Sequence, residues 1–424
     1  MNEKIVKQMR RVLISSLFVL VFSSPLMLTS FASTSNVPAC TVTITGENGS
    51  NNAIQMAIDN AESHVTGPVV CVDPGTYPEQ LVITLSGITL RGLPTSGHPV
   101  LIQPTFVTTN SVDPDNSQLA ANIILVTGEV SGITGDTVTG LTVDGSLASS
   151  SFSGCGVEYQ GILYINAGGT ISGNTVENIY LPPGLGGCQQ GLDILVQTTT
   201  GKYYSVSITN NHAINYQKNG ITCNDAGTTC SISHNTAYPY APYQQYIGSN
   251  GIQVYLAKAS VSSNTVTGNV CTLSGYCGND LTNPMYNSND ACGILTYQSA
   301  SGTTVNNNNL KGNQIGVCLV LDTASANGNN LQHSTAAGLE AYDGTGTYSP
   351  THNQFHFDPV GIEVISDGSA GYSGTFTTVV GSTDHFYDSD PVYIQVHTVT
   401  PGVAILKFAG HTNTFSGDQT TNIV

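Results

Sequence analysis

Residues 232–237 read ISHNTA and residues 261–266 read VSSNTV, and this six-residue pattern decides the fold. Asparagine stands fourth in each segment, and the first and sixth positions are mostly apolar. The pattern recurs along the chain, and in the later segments GSTDHF and GHTNTF the fourth place is taken by Asp384 and Asn413. The asparagines at the fourth position are Asn174, Asn211, Asn235, Asn264, Asn308, Asn329 and Asn353.

A second motif, Gly-apolar-x-apolar, lies between these segments, for example at Gly251-Ile252 and Gly293-Ile294. Even where successive asparagines are closest in sequence, the number of residues between them is enough for three short strands and their turns. A chain with such a repeat stacks coil on coil, with neighbouring strands about 4.8 Å apart. Asparagines at one corner of each coil would then form a ladder of side-chain hydrogen bonds. The sequence therefore predicts an all-β parallel β-helix with three strands per coil and about 10–12 coils.

The N-terminal coils carry a family resemblance. The segment VVCVDPGTYPEQLVITLSGITLRG at 69–92 resembles the first coils of pectinesterase-like proteins. Together with the repeats, it makes residues 40–424 similar to the right-handed parallel β-helix superfamily of pectate lyases, pectinesterases and polygalacturonases, the pectin lyase fold. The resemblance implies a right-handed coil and a substrate cleft beside one strand face. It matches no specific enzyme family, because the pectinesterase and polygalacturonase catalytic motifs are absent and no arginine follows Arg91.

A short helix should close the N-terminal end of the coil. Apolar residues at helical spacing between Ile54 and Ala61 indicate a capping helix at about 52–61. Such a cap is needed because an open coil end exposes unpaired strand edges. We assign residues 33–424 to one β-helix domain.

The first 32 residues have the features of a secretory signal peptide. Basic residues precede an apolar run from Val12, and Ser30-Phe31-Ala32 is a small-x-small cleavage site. The alternative is an uncleaved membrane anchor. No later segment is apolar enough to span a membrane, so we expect a secreted, extracellular protein without a stable membrane span.

Composition limits the possible partners. The chain carries 27 acidic and 10 basic side chains, a net charge of −17. An acidic protein cannot hold a phosphate backbone by counterion release, so nucleic-acid binding is excluded as a function. The expected partner is a polysaccharide or cell-surface glycan, and we expect a monomer.

All ten cysteines follow the predicted cleavage site, which indicates disulfides. Their positions in the repeat suggest a pairing, although sequence alone leaves other connectivities open. The suggested pairs are Cys40–Cys71, Cys155–Cys188, Cys223–Cys230, Cys271–Cys277 and Cys292–Cys318.

Insertions fall at one place in the repeat, between the ladder asparagine and the next Gly-apolar strand. Clustered loops at one corner indicate a functional surface, whereas neutral drift would scatter them. The long loops are 145–160, 180–190, 238–250 and 270–292.

The Gly-apolar strands present two outward rows of side chains beside these loops. The first row contains Asp193, Gln253, Glu340 and Glu363, and the second contains Tyr255, Tyr297 and Tyr342. Tyrosines can stack on sugar rings and donate hydrogen bonds, although they are also common in strands. The Pro/Tyr loop contributes Tyr240 and Tyr243, which either grip a partner or pack against the coil.

Glu340 and Glu363 should lie one coil apart, about 5 Å from each other. That separation suits the two carboxyls of a retaining glycosidase, and stacked carboxylates could also bind calcium, a cofactor we leave open. Two solvated surface acids are the plain alternative. Asp322 and Asp343 follow their strands and enlarge this acidic region, so the candidate catalytic residues are Glu340, Glu363, Asp322, Asp343 and Asp193.

The sequence is compatible with two functions. One is a secreted polysaccharide-active enzyme, a glycoside hydrolase or a calcium-assisted lyase working in the loop-lined cleft. The other is a non-catalytic, adhesin-like β-helix that binds glycans or other surfaces.

Overall fold

Three parallel sheets form the sides of a right-handed parallel β-helix, which confirms the fold predicted from the asparagine repeat. In this computed structural model, residues 39–424 form one compact unit. The residues described are 38–45, 52–64, 66–113, 117–129, 131–244, 246–273, 277, 290–322, 324–343, 346–366, 375–380, 384–387, 392–398, 403–408, 411–416 and 419–423. The predicted signal peptide, 1–32, lies outside them.

From Val69 to Tyr342, successive coils pass through sheets A, B and C in that order. Sheet A is Val42–Ile44, Val69–Val72, Thr89–Gly92, Ile133–Thr139, Ala167–Ser172, Tyr204–Thr209, Thr228–Ser233, Lys258–Ser262, Thr304–Asn306 and Ser325–Asn327. Sheet B is Gly75–Tyr77, Val100–Ile102, Thr142–Asp144, Thr175–Glu177, His212–Tyr216, Thr236–Pro239, Thr265–Thr267, Asn309–Lys311, Asn330–Gln332, Gln354–His356 and His385–Tyr387.

Sheet C carries the candidate site. It is Leu81–Ile83, Leu119–Thr127, Val157–Ile165, Leu192–Gln197, Asn219–Asn224, Asn250–Tyr255, Cys292–Tyr297, Ile315–Val320, Ala337–Tyr342, Val360–Ser366, Val392–Thr398 and Gln419–Ile423, with Ser111–Val112 paired to its second strand. A fourth, C-terminal sheet is Gly346–Tyr348, Thr375–Val380, Val403–Phe408 and His411–Ser416. Two short 3₁₀ helices, Ala148–Ser151 and Ala241–Tyr243, lie in loops.

The core is a column of side chains inside the coils. Ile and Val from successive strands stack at the same position, for example Ile221, Ile252 and Ile294 on sheet C, which are all fully buried. Stacking of identical positions explains why the sequence repeats its apolar residues coil after coil.

The asparagine ladder lies at the corner between sheets A and B, as predicted. Asn235 and Asn264 are almost completely buried. The side-chain amide of each ladder asparagine donates to the next asparagine oxygen and to a backbone carbonyl of the preceding coil, as Asn264 does to Asn308 and Ile232. Asp384 ends the ladder by accepting from Asn353.

Asn413 was wrongly predicted to continue the ladder. It lies in His411–Ser416, a strand that runs antiparallel to Val403–Phe408 with Asn413 opposite Leu406. The coil repeat has therefore ended before this segment, although its sequence still fits the pattern.

The helix Ala53–His64 lies where the cap was expected. Its Ile54 and Ile58 are fully buried. Glu79 accepts hydrogen bonds from the first helical amides, Ile54 N and Gln55 N. The Gln55 side chain both accepts from and donates to the backbone of Val82, in the first strand of sheet C. The helix thus satisfies backbone groups at a strand edge that would otherwise be open.

Among the described residues, no helix has the length and hydrophobicity needed to cross a bilayer.

Candidate functional site

All four long loops connect a strand of sheet B to the next strand of sheet C. They occupy 145–156, 178–191, 240–249 and 268–291, the last being described only in part. The insertions predicted from the spacing therefore do share one corner of the coil, beside the outer face of sheet C.

All five suggested disulfides are present: Cys40–Cys71, Cys155–Cys188, Cys223–Cys230, Cys271–Cys277 and Cys292–Cys318. Cys155–Cys188 joins the first two long loops, and Cys271–Cys277 closes a turn in the last. Cys292–Cys318 links adjacent strands of sheet C. Three of the five bonds therefore fix this side of the molecule.

Strand register confirms the two outward rows on sheet C, with one exception. The first row runs through Leu163, Leu195, Thr222, Gln253, Leu295, Cys318, Glu340 and Glu363. The second runs through Ile165, Gln197, Asn224, Tyr255, Tyr297, Val320, Tyr342 and Ile365.

The exception is Asp193, which was wrongly placed on the outward face. On the two adjacent strands, the residues opposite Asp193 are Gly161 and Gly220. A Cβ added at Gly220 would meet Tyr216 and Ala237, so this column faces the inside of the coil. The inside–outside alternation used in the prediction holds only from Ile194 onward.

Asp193 is accordingly fully buried, and neither carboxylate oxygen makes a hydrogen bond of standard geometry. Burial raises its pKa well above the ordinary value, an effect that the Ile214 backbone amide offsets only in part. An acid enclosed in the coil cannot contact a polymer on the surface, so the structure removes Asp193 from the site.

A cleft of about 270 Å³ opens on the outer face of sheet C, beside the long loops. It brings together three of the predicted binding residues, Gln253, Tyr255 and Tyr297, with one predicted catalytic residue, Glu340. The full lining is Gln189, Lys218, Asn250, Gln253, Tyr255, Asp290, Cys292, Leu295, Tyr297, Cys318, Val320 and Glu340.

The floor of the cleft is a network of amides centred on Gln253. The Gln253 side-chain oxygen accepts from Asn219 at 3.1 Å and from Asn250 at 3.2 Å, and its nitrogen donates to Asn224 at 3.2 Å. Amides both donate and accept, which is the property required to bind the hydroxyl groups of a sugar.

Tyr255 and Tyr297 stack on each other, with ring centroids 5.2 Å apart and planes 15° apart. The two faces that look at one another are therefore closed to a sugar ring. The predicted mode of binding changes as a result: a sugar ring cannot stack between these tyrosines, and they line the cleft as a stacked pair. Both remain half-buried in the wall of the cleft.

Lys218 provides positive charge at the cleft. The residue is partly buried, and its Nζ donates to the Gly248 carbonyl oxygen at 2.6 Å. Desolvation lowers the pKa of its ammonium group to about 8. A lysine in this state is readily converted between its charged and neutral forms near physiological pH.

Glu340 and Glu363 are direct neighbours in register on adjacent strands, as predicted. They are not the solvated acids that the plain alternative required, because Glu340 is 7% exposed and Glu363 only 1%. The outer face of sheet C here is apolar, with Val320, Tyr342 and Ile365 packed into a second hydrophobic cluster. Only Glu340 lines the cleft.

Asp322 and Asp343 lie at the opposite end of the sheet C strands, in the turns toward the next coil. Asp322 accepts hydrogen bonds from the backbone amides of Ser299 at 3.0 Å and Ala324 at 2.8 Å. Asp343 is buried in a left-handed backbone conformation, with φ of +45°. Neither lines the cleft, so the cleft contains Glu340 without these two acids.

Three of the predicted tyrosines have other environments. Tyr342 is 1% exposed within the outer hydrophobic cluster and presents no face to a ligand. Tyr243 is buried, and its hydroxyl donates to the Leu181 carbonyl at 2.8 Å. Tyr240 stacks on Tyr180 with centroids 4.2 Å apart. Tyr240 and Tyr243 therefore pack against the neighbouring long loop, 178–191, rather than against the coil.

Within the described ranges, no three His, Cys, Asp or Glu side chains are arranged to hold a metal ion. We therefore derive no step through a metal.

Sequence reasoning did not assign Lys218, Asn219, Asn250 or Asp290 to the site. A signal for two of them was present, since Asn219 and Asn250 each precede the glycine of a Gly-apolar motif and pair in register. Asp290 had no such signal, because it belongs to an insertion outside the repeat.

No protein-family model matches the chain, and no curated protein matches it. Solved structures resemble it at low identity. The AlgE4 A-module of the Azotobacter vinelandii mannuronan C-5 epimerase is 14% identical over 87% of this chain and 92% of that one, with a TM-score of 0.45. An alginate lyase from Paenibacillus sp. is 16% identical over 74% and 95%, with a TM-score of 0.43. The Streptococcus pneumoniae surface protein and adhesin PfbA is 12% identical over 86% and 100%, with a TM-score of 0.42. These similarities concern the fold alone.

Proposed function

We propose that this protein is secreted and binds a polysaccharide chain in the cleft on the outer face of sheet C. One observation carries the proposal: the amide network around Gln253, the tyrosine pair and Lys218 converge in a single cleft at the corner where every long loop inserts. Polar groups converging in a concave site are the usual mark of a ligand site.

Secretion is supported by the five disulfides, which form and persist in oxidising compartments. The predicted signal peptide points the same way. The acidic composition is compatible with a glycan partner and unfavourable for nucleic acid.

Binding is tested by screening the mature protein against a panel of soluble polysaccharides by affinity electrophoresis. Gln253→Leu removes the centre of the amide network and should abolish the retardation of the binding glycan. Gln332→Leu, on the outer face of sheet B, is the matched control and should bind as the wild type does. Equal retardation of wild type and Gln253→Leu would contradict the proposed site.

Cleavage of the bound polymer is a second candidate, favoured by the two carboxyl groups of Glu340 and Asp290 in the cleft lining. Glycoside hydrolysis commonly uses two carboxyls that flank the scissile bond. Release of reducing ends from the binding polysaccharide, lost in Glu340→Gln, would establish hydrolysis. Retention of the intact polymer after prolonged incubation would leave the protein a binder.

A further inference from the structure

We infer that the glycan recognised by the cleft carries isolated acidic groups on an otherwise neutral chain, and that Lys218 binds one such carboxylate. This inference rests on the proposed function and specifies its substrate class. It starts from the position of Lys218, which lines the cleft and donates a hydrogen bond to a neutral backbone carbonyl, that of Gly248.

Burial of an ammonium group is unfavourable unless an anion or several acceptors compensate for the lost water. Lys218 is partly buried, and its Nζ donates to a neutral acceptor, the Gly248 carbonyl oxygen. The lowered pKa, about 8, has the same origin. A carboxylate on the ligand would supply the missing charge and form a charge-assisted hydrogen bond.

The rest of the cleft argues against a polymer that is charged at every residue. Glu340 and Asp290 both line it, and the whole chain has a net charge of −17. A polyuronate would bring further carboxylates against these two acids, where like charges repel. The amides of Gln253 and Asn250 suit neutral hydroxyls instead.

The size of the cleft limits the length of glycan that it can contact. Its volume, about 270 Å³, lies at the small end of ligand pockets, which span roughly 300–1,000 Å³. The cleft therefore covers a short stretch of glycan, long enough for one acidic residue and its neutral neighbour.

The test measures affinity by calorimetry for three acidic heteroglycans, glucuronoxylan, xanthan and gum arabic, for their carboxyl-reduced forms, and for polygalacturonate. At least one heteroglycan should bind the wild type more tightly than both its reduced form and polygalacturonate. Lys218→Met should weaken binding of that heteroglycan by about tenfold or more, the loss expected for one hydrogen bond to a charged group. Binding of the reduced form should change by less than about twofold.

Lys258→Met is the matched control, since Lys258 is exposed on sheet A and its removal changes the net charge equally. It should leave all affinities unchanged. Raising the pH from 7 to 10 should weaken wild-type binding of the acidic form and not of the reduced form.

The inference is overturned if Lys218→Met weakens acidic and reduced glycans equally, or if polygalacturonate or a reduced form binds most tightly. In those cases binding itself remains, so the proposed function survives. Absence of binding to every glycan would overturn both.

Discussion

Asn235 donates two hydrogen bonds to the side-chain oxygen of Asn264 one coil later, from its backbone amide at 2.9 Å and from its side-chain amide at 3.0 Å. Its side-chain amide also donates to the Ile208 carbonyl at 2.9 Å. One buried side chain thus serves three coils. The hydrogen bonds of the ladder repeat in this form from Asn174 to Asn353, which explains why asparagine recurs at this position from coil to coil.

The ladder predicts a large loss of stability on substitution. Asn235→Leu or Asn264→Leu should lower the free energy of unfolding by about 1–3 kcal/mol, because buried backbone groups lose their partners. Urea denaturation measures this. Asn309→Leu, an exposed position on sheet B, is the control and should change stability by less than about 0.5 kcal/mol. Similar effects at ladder and control positions would contradict the role of the ladder.

Asp193 predicts a pH-dependent stability. Its pKa is raised in the folded protein, so the folded state favours the protonated form. The stability of the wild type should therefore fall as pH rises above the ordinary aspartate pKa, about 3.9, toward the folded value. Asp193→Asn, which cannot ionise, should be more stable than the wild type at pH 7 and lose that advantage near pH 4.

Thermal unfolding of both proteins across this range is the measurement. If the difference in stability between the wild type and Asp193→Asn does not depend on pH, the fold compensates for the buried charge of Asp193. Glycan binding by Asp193→Asn should equal that of the wild type, since the residue lies inside the coil.

The Cys292–Cys318 bond should affect both stability and binding. Replacing both cysteines with alanine should cost about 2–4 kcal/mol and weaken glycan binding, because the bond lines the cleft. Removal of the Cys40–Cys71 bond is the matched control, because the two bonds close loops of similar length: their cysteines are 31 residues apart for Cys40–Cys71 and 26 residues apart for Cys292–Cys318. It should lower stability comparably and leave affinity unchanged. Equal affinities in the two variants would show that the bond does not shape the cleft.

Substitutions of Glu340 and Glu363 should have different effects on function, although the two residues are direct neighbours in register. Glu340→Gln should change glycan affinity or turnover, because Glu340 lines the cleft. Glu363→Gln should change glycan affinity and turnover by less than about twofold, since Glu363 is buried and does not line the cleft. Neither change should destabilise the fold strongly, because neutralising one of two adjacent acids relieves repulsion. Loss of turnover in both variants would instead support a paired-carboxyl mechanism.

Repetition explains which features the sequence could predict. The fold, the ladder and the loop corner follow from positions that recur coil after coil, so spacing alone locates them. The disulfide pairing was one of several connectivities that the sequence left open. Asp193 shows where spacing fails: it occupies the glycine column between Gly161 and Gly220, whereas the prediction placed Gly191 in that column.

The site itself depended on features outside the repeat. Asp290 and Gln189 reach the cleft from insertions. The repeat does not predict the conformation of these insertions, because they lie outside it. The burial of Tyr342 and Glu363 arises from an apolar cluster on the outer face of sheet C, whereas the period-two rule assumes that outward residues are solvated.

Occupancy of the cleft can be measured directly through Lys218. Its pKa, about 8, makes it reactive toward an amine-acylating reagent at that pH, and Lys258 on sheet A serves as the internal reference. With the tightest-binding glycan of the panel at saturation, mass spectrometry should show acylation of Lys218 strongly suppressed and that of Lys258 unchanged. Equal acylation of Lys218 with and without bound glycan would contradict the assignment of this cleft as the binding site.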